Sequence, residues 1–140
     1  MQGVKIILGI LLLAESVIDI RSKHVLVWMP LLAGIIGVGY SIIGGNFRIS
    51  EVGASLVVVF ILFMISKLTK EALGMGDIWV IGSILITMGF VEGIKIIFLA
   101  FLLAGTYGGT LMLVKKCGGK KRIPFIPFLF LGFIGGEWIC

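Results

Sequence analysis

Three carboxylic acids set the chemistry open to this 140-residue chain. Asp19 and Asp77 are its only aspartates, and each falls at the edge of a long apolar run, where an ionisable side chain is costly and marks function by default. Two carboxyls brought close in a low-dielectric site cannot both ionise, so one keeps its proton. That pairing suits aspartic-type hydrolysis. The ionised member takes a proton from a water held between them, and the protonated member donates to the scissile carbonyl oxygen. Either Asp fits either role. Glu15 precedes Asp19 by four residues and so shares its helix face, one turn deeper, where it either tunes the pair or packs as a protonated carboxyl. Gly74 and Gly76, in Leu73-Gly74-Met75-Gly76-Asp77, remove side chains just before the second acid and let substrate backbone or a neighbouring helix approach.

The elements that must position these acids are membrane helices. The chain is 59% hydrophobic and 14% charged, against roughly 45–50% and about 25% for a soluble domain, which excludes a water-soluble globular protein. A hydrocarbon core of about 30 Å needs roughly 20 helical residues. Six apolar runs emerge between the charged clusters, approximately Gly3–Ile20, Val25–Ile43, Val52–Ser66, Leu73–Val91, Ile96–Val114 and Ile123–Ile139. The expected fold is an all-α bundle of six transmembrane helices, with residues 1–140 forming one membrane-embedded domain. Short connections predict that neighbours pack antiparallel. Ile78 to Val91 is only 14 residues, so spanning pulls the fourth helix back toward Leu73 and places Asp77 a turn inside it or on a re-entrant turn. The first run is expected to stay in place, because its basic flank is thin, no small-residue cleavage site closes it, and Glu15 and Asp19 interrupt it.

Charge orients the bundle. Nine of the twelve Lys and Arg fall in alternate loops, at Arg21 and Lys23, at Lys67 and Lys70, and from Lys115 to Arg122. Lys5, Arg48 and Lys95 fall on the opposite side. This predicts cytoplasmic basic loops and both termini outside, with Asp19 and Asp77 at similar depth on the cytoplasmic side. The formal charge of +5 therefore reads as a topology signal reinforced by anionic lipid rather than as a nucleic-acid footprint. Cys117 and Cys140 fall on opposite sides and cannot pair within one molecule. His24 has no neighbouring thiol or second His, so no metal and no cofactor is expected. Gly34 and Gly37, Gly105, Gly108 and Gly109, and Gly135 and Gly136 read as close-packing surfaces between helices. No Gly-x-Ser-x-Gly occurs, and Ser16 and Ser83 rank below the carboxyls.

Three segments together resemble the type IV prepilin peptidase family, the Gly-x-Gly-Asp membrane aspartic peptidases. Asp19-Ile20-Arg21-Ser22-Lys23 looks like the family's first catalytic Asp followed by a basic loop, and Gly74-Met75-Gly76-Asp77 is similar to its second catalytic motif. Ile123-Pro124-Phe125-Ile126-Pro127-Phe128-Leu129-Phe130-Leu131-Gly132 resembles the Pro-Phe-x-Pro-Phe-Leu segment opening the family's last helix. Pro124 and Pro127 fit the first turn of a helix or break it, which would loosen backbone near the cytoplasmic entrance. Trp79 stands where family members commonly carry a Lys, and Val25-Leu26-Val27 where they often carry Ile-Pro-Asn. The zinc-binding Cys-x-x-Cys insertion of the long-form enzymes is missing, so the resemblance implies a short, peptidase-only form without methyltransferase activity.

The resemblance implies a multi-pass endopeptidase of the cytoplasmic membrane. It would remove the short basic leader from type IV prepilins or pilin-like proteins at the cytoplasmic face, with Asp19 and Asp77 catalytic. Glu71 is a candidate for selecting the basic leader. The closest alternatives are a preflagellin or Tad-type pilin peptidase with the same chemistry, a small transporter relaying protons or cations through Glu15, Asp19 and Asp77, and an assembly factor with a decayed site. The oligomeric state is left open.

Overall fold

The computed structural model describes residues 2–22, 27–45, 47–69, 74–115 and 123–139. These form six helices, α1 (Gln2–Ser22), α2 (Trp28–Ile43), α3 (Ile49–Leu68), α4 (Met75–Met88), α5 (Phe90–Lys115) and α6 (Ile126–Ile139), and no strand occurs among the described residues. Each helix reflects a run rich in Leu, Ile, Val and Phe. In such a run the backbone can satisfy its polar groups only within the segment.

Two helices, α3 and α5, are long and apolar enough to cross a membrane. α1 is 21 residues long but carries Lys5, Glu15, Asp19 and Arg21. The outer surface is apolar on every side, with Ile6, Ile35, Phe60, Phe98 and Leu131 all exposed. So much contiguous apolar surface is a liability in water and is the normal state of a face turned to lipid.

α4 is the axis of the bundle. Val80, Ile81, Ile84 and Leu85 are fully buried, and α4 packs on α2, α3 and α5, with a smaller contact to α1. α6 closes the other side against α5 and α1. The expectation that successive helices pack together holds for α1 with α2, α3 with α4, α4 with α5 and α5 with α6, whereas α2 and α3 lean chiefly on α4.

Helix boundaries depart from the sequence expectation most between the fourth and fifth helices. The fourth helix stops at Met88 rather than Val91, and the fifth starts at Phe90 rather than Ile96. Gly89 makes the break, with φ +85°, a conformation that L side chains rarely adopt. A Cβ there would also meet Glu51 Oε2 at 3.0 Å. Glu92 and Lys95, the polar residues that made this stretch look like a loop, lie in the first two turns of α5. Glu92 is an acid at a helix N-terminus and pairs with Lys5 Nζ at 3.7 Å.

The glycine expectations divide. A Cβ at Gly37 would collide with the Thr87 hydroxyl and lie 3.0 Å from its Cα, and at Gly135 and Gly136 it would meet Leu99 and Ile96 at 2.7 and 2.9 Å. These are close helix approaches. Gly34, Gly105 and Gly109 have nothing within 4 Å and Gly108 has only ordinary contact with Ile123, so this group does not pack as expected. Gly132, which the sequence marks only as the end of the Ile123–Gly132 segment and not as a packing glycine, is the tightest against backbone, with a Cβ there 2.7 Å from the Ile96 carbonyl oxygen.

Candidate active site

Side-chain contacts sort the helix ends into two groups. Val4 and Lys5 of α1, Tyr40 and Gly44 at the end of α2, and Thr87 and Met88 of α4 line one small cavity. Arg48 and Glu51 at the start of α3 line another with Thr87 and Gly89. The C-terminal part of α1 and the N-terminus of α4 therefore lie together at the opposite end, with Asp19 and Asp77 in them. The described bases follow the same division. Lys5, Arg48 and Lys95 belong to the Gly89 end, while Arg21, Lys67 and Lys115 stand at the ends of α1, α3 and α5 nearer the aspartates.

α1 turns one stripe inward, Val4, Leu8, Leu12, Glu15, Ser16 and Asp19, all buried. The stripe is apolar for its first three turns and carboxylic in its last, so packing that α1 face on α6, α2 and α4 forces two acids into the interior. Glu15 is 3% exposed and Asp19 7%.

Asp77 is the third residue of α4 and half-buried. It shares its face with Val80, Ile81 and Ile84, three and four residues on and one turn further, all of which are fully buried. The Gly74 carbonyl accepts the backbone N–H of Asp77 at 3.1 Å and of Ile78 at 3.4 Å, closing the first turn. Gly74 itself has φ −63° and ψ 141°, an extended conformation open to any residue, so Gly at this position is not demanded by backbone strain. An acid in the first turn of a helix faces unpaired backbone N–H groups, which favour negative charge there. Asp77 lies in the first turn rather than a full turn inside.

The depths of the acids follow from helix rise. From the level at which Val4 and Lys5 meet Thr87 and Met88, 1.5 Å per residue carries Asp77 about 16 Å along α4, Glu15 about 16 Å along α1 and Asp19 about 22 Å. Asp19 thus stands about one turn beyond Asp77. The two helices run in opposite directions, and every Cα–Cβ bond tilts toward its own helix N-terminus. Asp19 leans back toward the level of Asp77, and Asp77 leans outward toward Asp19, so the tilts narrow the offset.

The wall opposite is the start of α6. Phe125, Ile126 and Leu129 are buried, and the Phe125 ring lies 4.9 Å from that of Phe101 in a tilted contact. Pro124 precedes the helix and Pro127 occupies its first turn, where a missing N–H costs nothing because first-turn N–H groups have no acceptor within the helix, and the Phe125 carbonyl accepts from Phe128 and Leu129 to close that turn. These prolines start the helix rather than break it.

Trp79 lies two residues past Asp77, about 200° around the helix, and is half exposed. It lines an apolar groove with Phe60 and Phe63 of α3 and Met75 and Ile78 of α4. The side chain at this position therefore does not reach the Asp77 face. Ser83 donates to the Val80 carbonyl at 2.8 Å, an ordinary bond within its own helix. Ser66, which sequence reading passed over, is 1% exposed near the end of α3, and a buried hydroxyl among apolar neighbours is the only signal that could have marked it. Among the described residues no group of three His, Cys, Asp or Glu converges as a metal would require. His24, Glu71, Cys117, Cys140 and most of the basic stretch before Pro124 lie outside the described residues.

An apolar-surfaced helical bundle that buries carboxyls at one end is the architecture of a membrane-associated protein with polar chemistry at that end. The chain belongs to the type IV leader peptidase family, whose sequence profile matches residues 6–109, about three quarters of its length. The match takes in Glu15, Asp19, Gly74, Gly76 and Asp77 and ends before Pro124 and Pro127. Comparison with curated proteins and with solved structures gives no match. Family membership supports a leader peptidase-like function and association with a membrane.

Proposed function

We propose that the protein is an aspartic endopeptidase that removes the short basic leader of type IV prepilins or pilin-like proteins, with Asp19 and Asp77 as its catalytic pair. In this reading all six helices cross the cytoplasmic membrane, both termini are outside, and the aspartates face the cytoplasm. One Asp draws a proton from water as it attacks the scissile carbonyl carbon. The other gives its proton to the carbonyl oxygen, the first then passes the proton it took from water to the departing amine, and the second recovers a proton from the gem-diol as it collapses, which returns the pair to its starting state. Gly74 and Gly76 leave room for substrate backbone beside Asp77.

The observation that carries the reading is the inward placement of both aspartates at one end of the bundle, on antiparallel helices whose side-chain tilts converge, in a chain of this family. The distribution of bases supports the orientation, because the described Lys and Arg divide between the two ends as alternation requires.

The test is cleavage of a prepilin from the same cell by detergent-purified protein, comparing wild type with Asp19→Asn and Asp77→Asn. Asn keeps the shape and cannot exchange the proton, so each single variant should lose processing. Normal processing by either variant would sink the catalytic pair. Flux of protons or cations that depends on the same residues, with no proteolysis in the wild type, would place the chain among transporters instead.

A further inference from the structure

The pair mechanism uses two carboxyls, and the interior holds three. Glu15 is more deeply buried than either aspartate, at 3% exposure, and its Oε1 is fully enclosed with no hydrogen-bond partner among the described residues. It sits one helical turn from Asp19 on the same inward stripe, where side chains four residues apart are neighbours. The Asp19 side chain leans toward the α1 N-terminus and therefore toward Glu15. By helix rise Glu15 is level with Asp77, and Asp19 stands about one turn beyond both.

We propose that Glu15 is a positioning residue for Asp19, the two carboxyls sharing one proton in a hydrogen bond on the inward face of α1. The proposal rests on the peptidase reading for its catalytic meaning and on burial alone for the pair itself. Two adjacent carboxylates inside an apolar wall repel each other and lack solvation, and one proton between them removes both costs. A single shared proton also leaves each residue one oxygen for other work. Glu15 touches neither water nor substrate in this scheme. It fixes the Asp19 rotamer and the count of protons held by the three acids.

The other titratable groups around this part of α1 are few among the described residues. On α1 itself Lys5 is about 15 Å away along the helix and Arg21 is exposed. Of the helices packed on α1, α2 carries Tyr40 near the opposite end, α4 carries Asp77, and α6 carries Glu137 in its C-terminal turns, far from its start beside the aspartates.

Two measurements test it on the detergent-purified full chain. Infrared spectra at neutral pH should contain a protonated-carboxyl band that Glu15→Gln removes and Asp19→Asn shifts. A Glu15 band indifferent to Asp19→Asn, or no such band, overturns the proposal whether or not the protein cleaves prepilin. In kinetics, Glu15→Leu should lower kcat about tenfold or more with KM nearly unchanged, the scale of losing a hydrogen bond to a charged group. Glu15→Gln, which keeps the shape and can still donate, should retain most of the neutral-pH rate and lose one ionisation from the kcat–pH profile. A wild-type kcat and pH profile in both variants leaves Glu15 with a packing role and overturns the proposal. Cleavage that survives Asp19→Asn would instead overturn the catalytic pair of the proposed function, and the infrared result would stand apart from it.

Discussion

The two ends of the bundle solve opposite problems. At the Gly89 end, charge is paired and the backbones are close: Lys5 meets Glu92 at 3.7 Å, Arg48 meets Glu51 at 3.3 Å, and Gly37 lies against Thr87. At the aspartate end the interior is acidic. Glu15, Asp19 and Asp77 turn inward while Arg21 and Lys67 remain exposed. At the Gly89 end the Lys5–Glu92 contact ties α1 to α5, and in the proposed reading the aspartate end supplies the acids of the reaction.

That division makes ordered predictions. The largest effect should come from the acidic end: Asp77→Asn should reduce the single-turnover rate of leader cleavage by about a thousandfold or more, within the range attributed to acid–base groups, with an unchanged melting curve. Next, Gly132→Leu would push side-chain atoms onto the Ile96 carbonyl oxygen and the Ala100 nitrogen, 2.7 and 3.1 Å from a Cβ, and backbone cannot step aside. It should cost about 3 kcal/mol in a detergent unfolding titration, the upper part of the usual overpacking range. Gly89→Ala has to hold a positive φ against Glu51 and should lose about 1 kcal/mol by the same measurement, with cleavage at permissive temperature preserved. Lys5→Met removes a partly exposed ion pair and should change stability by less than about 1 kcal/mol. A large fall in kcat for Gly89→Ala or Lys5→Met without loss of stability would break the proposed separation of the two ends.

Much of the acidic end was legible because rarity and placement coincide: two aspartates in an apolar chain, each near an end of a run, point inward for want of anywhere favourable to go except the interior. The Gly89 end was harder to read. Its helix break lies inside an unbroken apolar stretch, where hydropathy is high on both sides and only the backbone dihedral of one glycine records the turn. Glu92 and Lys95 looked like loop residues because a partner from α1, distant in sequence, satisfies the first of them. The glycines at Gly105 and Gly109 illustrate the reverse failure, since small residues permit close approach without requiring it.

The length of α4 carries a further consequence. Its 14 residues rise about 21 Å, some 9 Å less than a hydrocarbon core of about 30 Å, while the flanking α3 and α5 have 20 and 26 residues and are long enough to span. In the proposed placement the bilayer beside α4 has to dip, or its head groups and water have to follow the helix end inward, to meet Gly74 and Asp77. The short helix is then a notch in the membrane that lets hydrolytic water reach the acids without crossing hydrocarbon. The depth of that notch is set by the lipid as much as by the protein, so a thicker bilayer works against the enzyme and a thinner one with it.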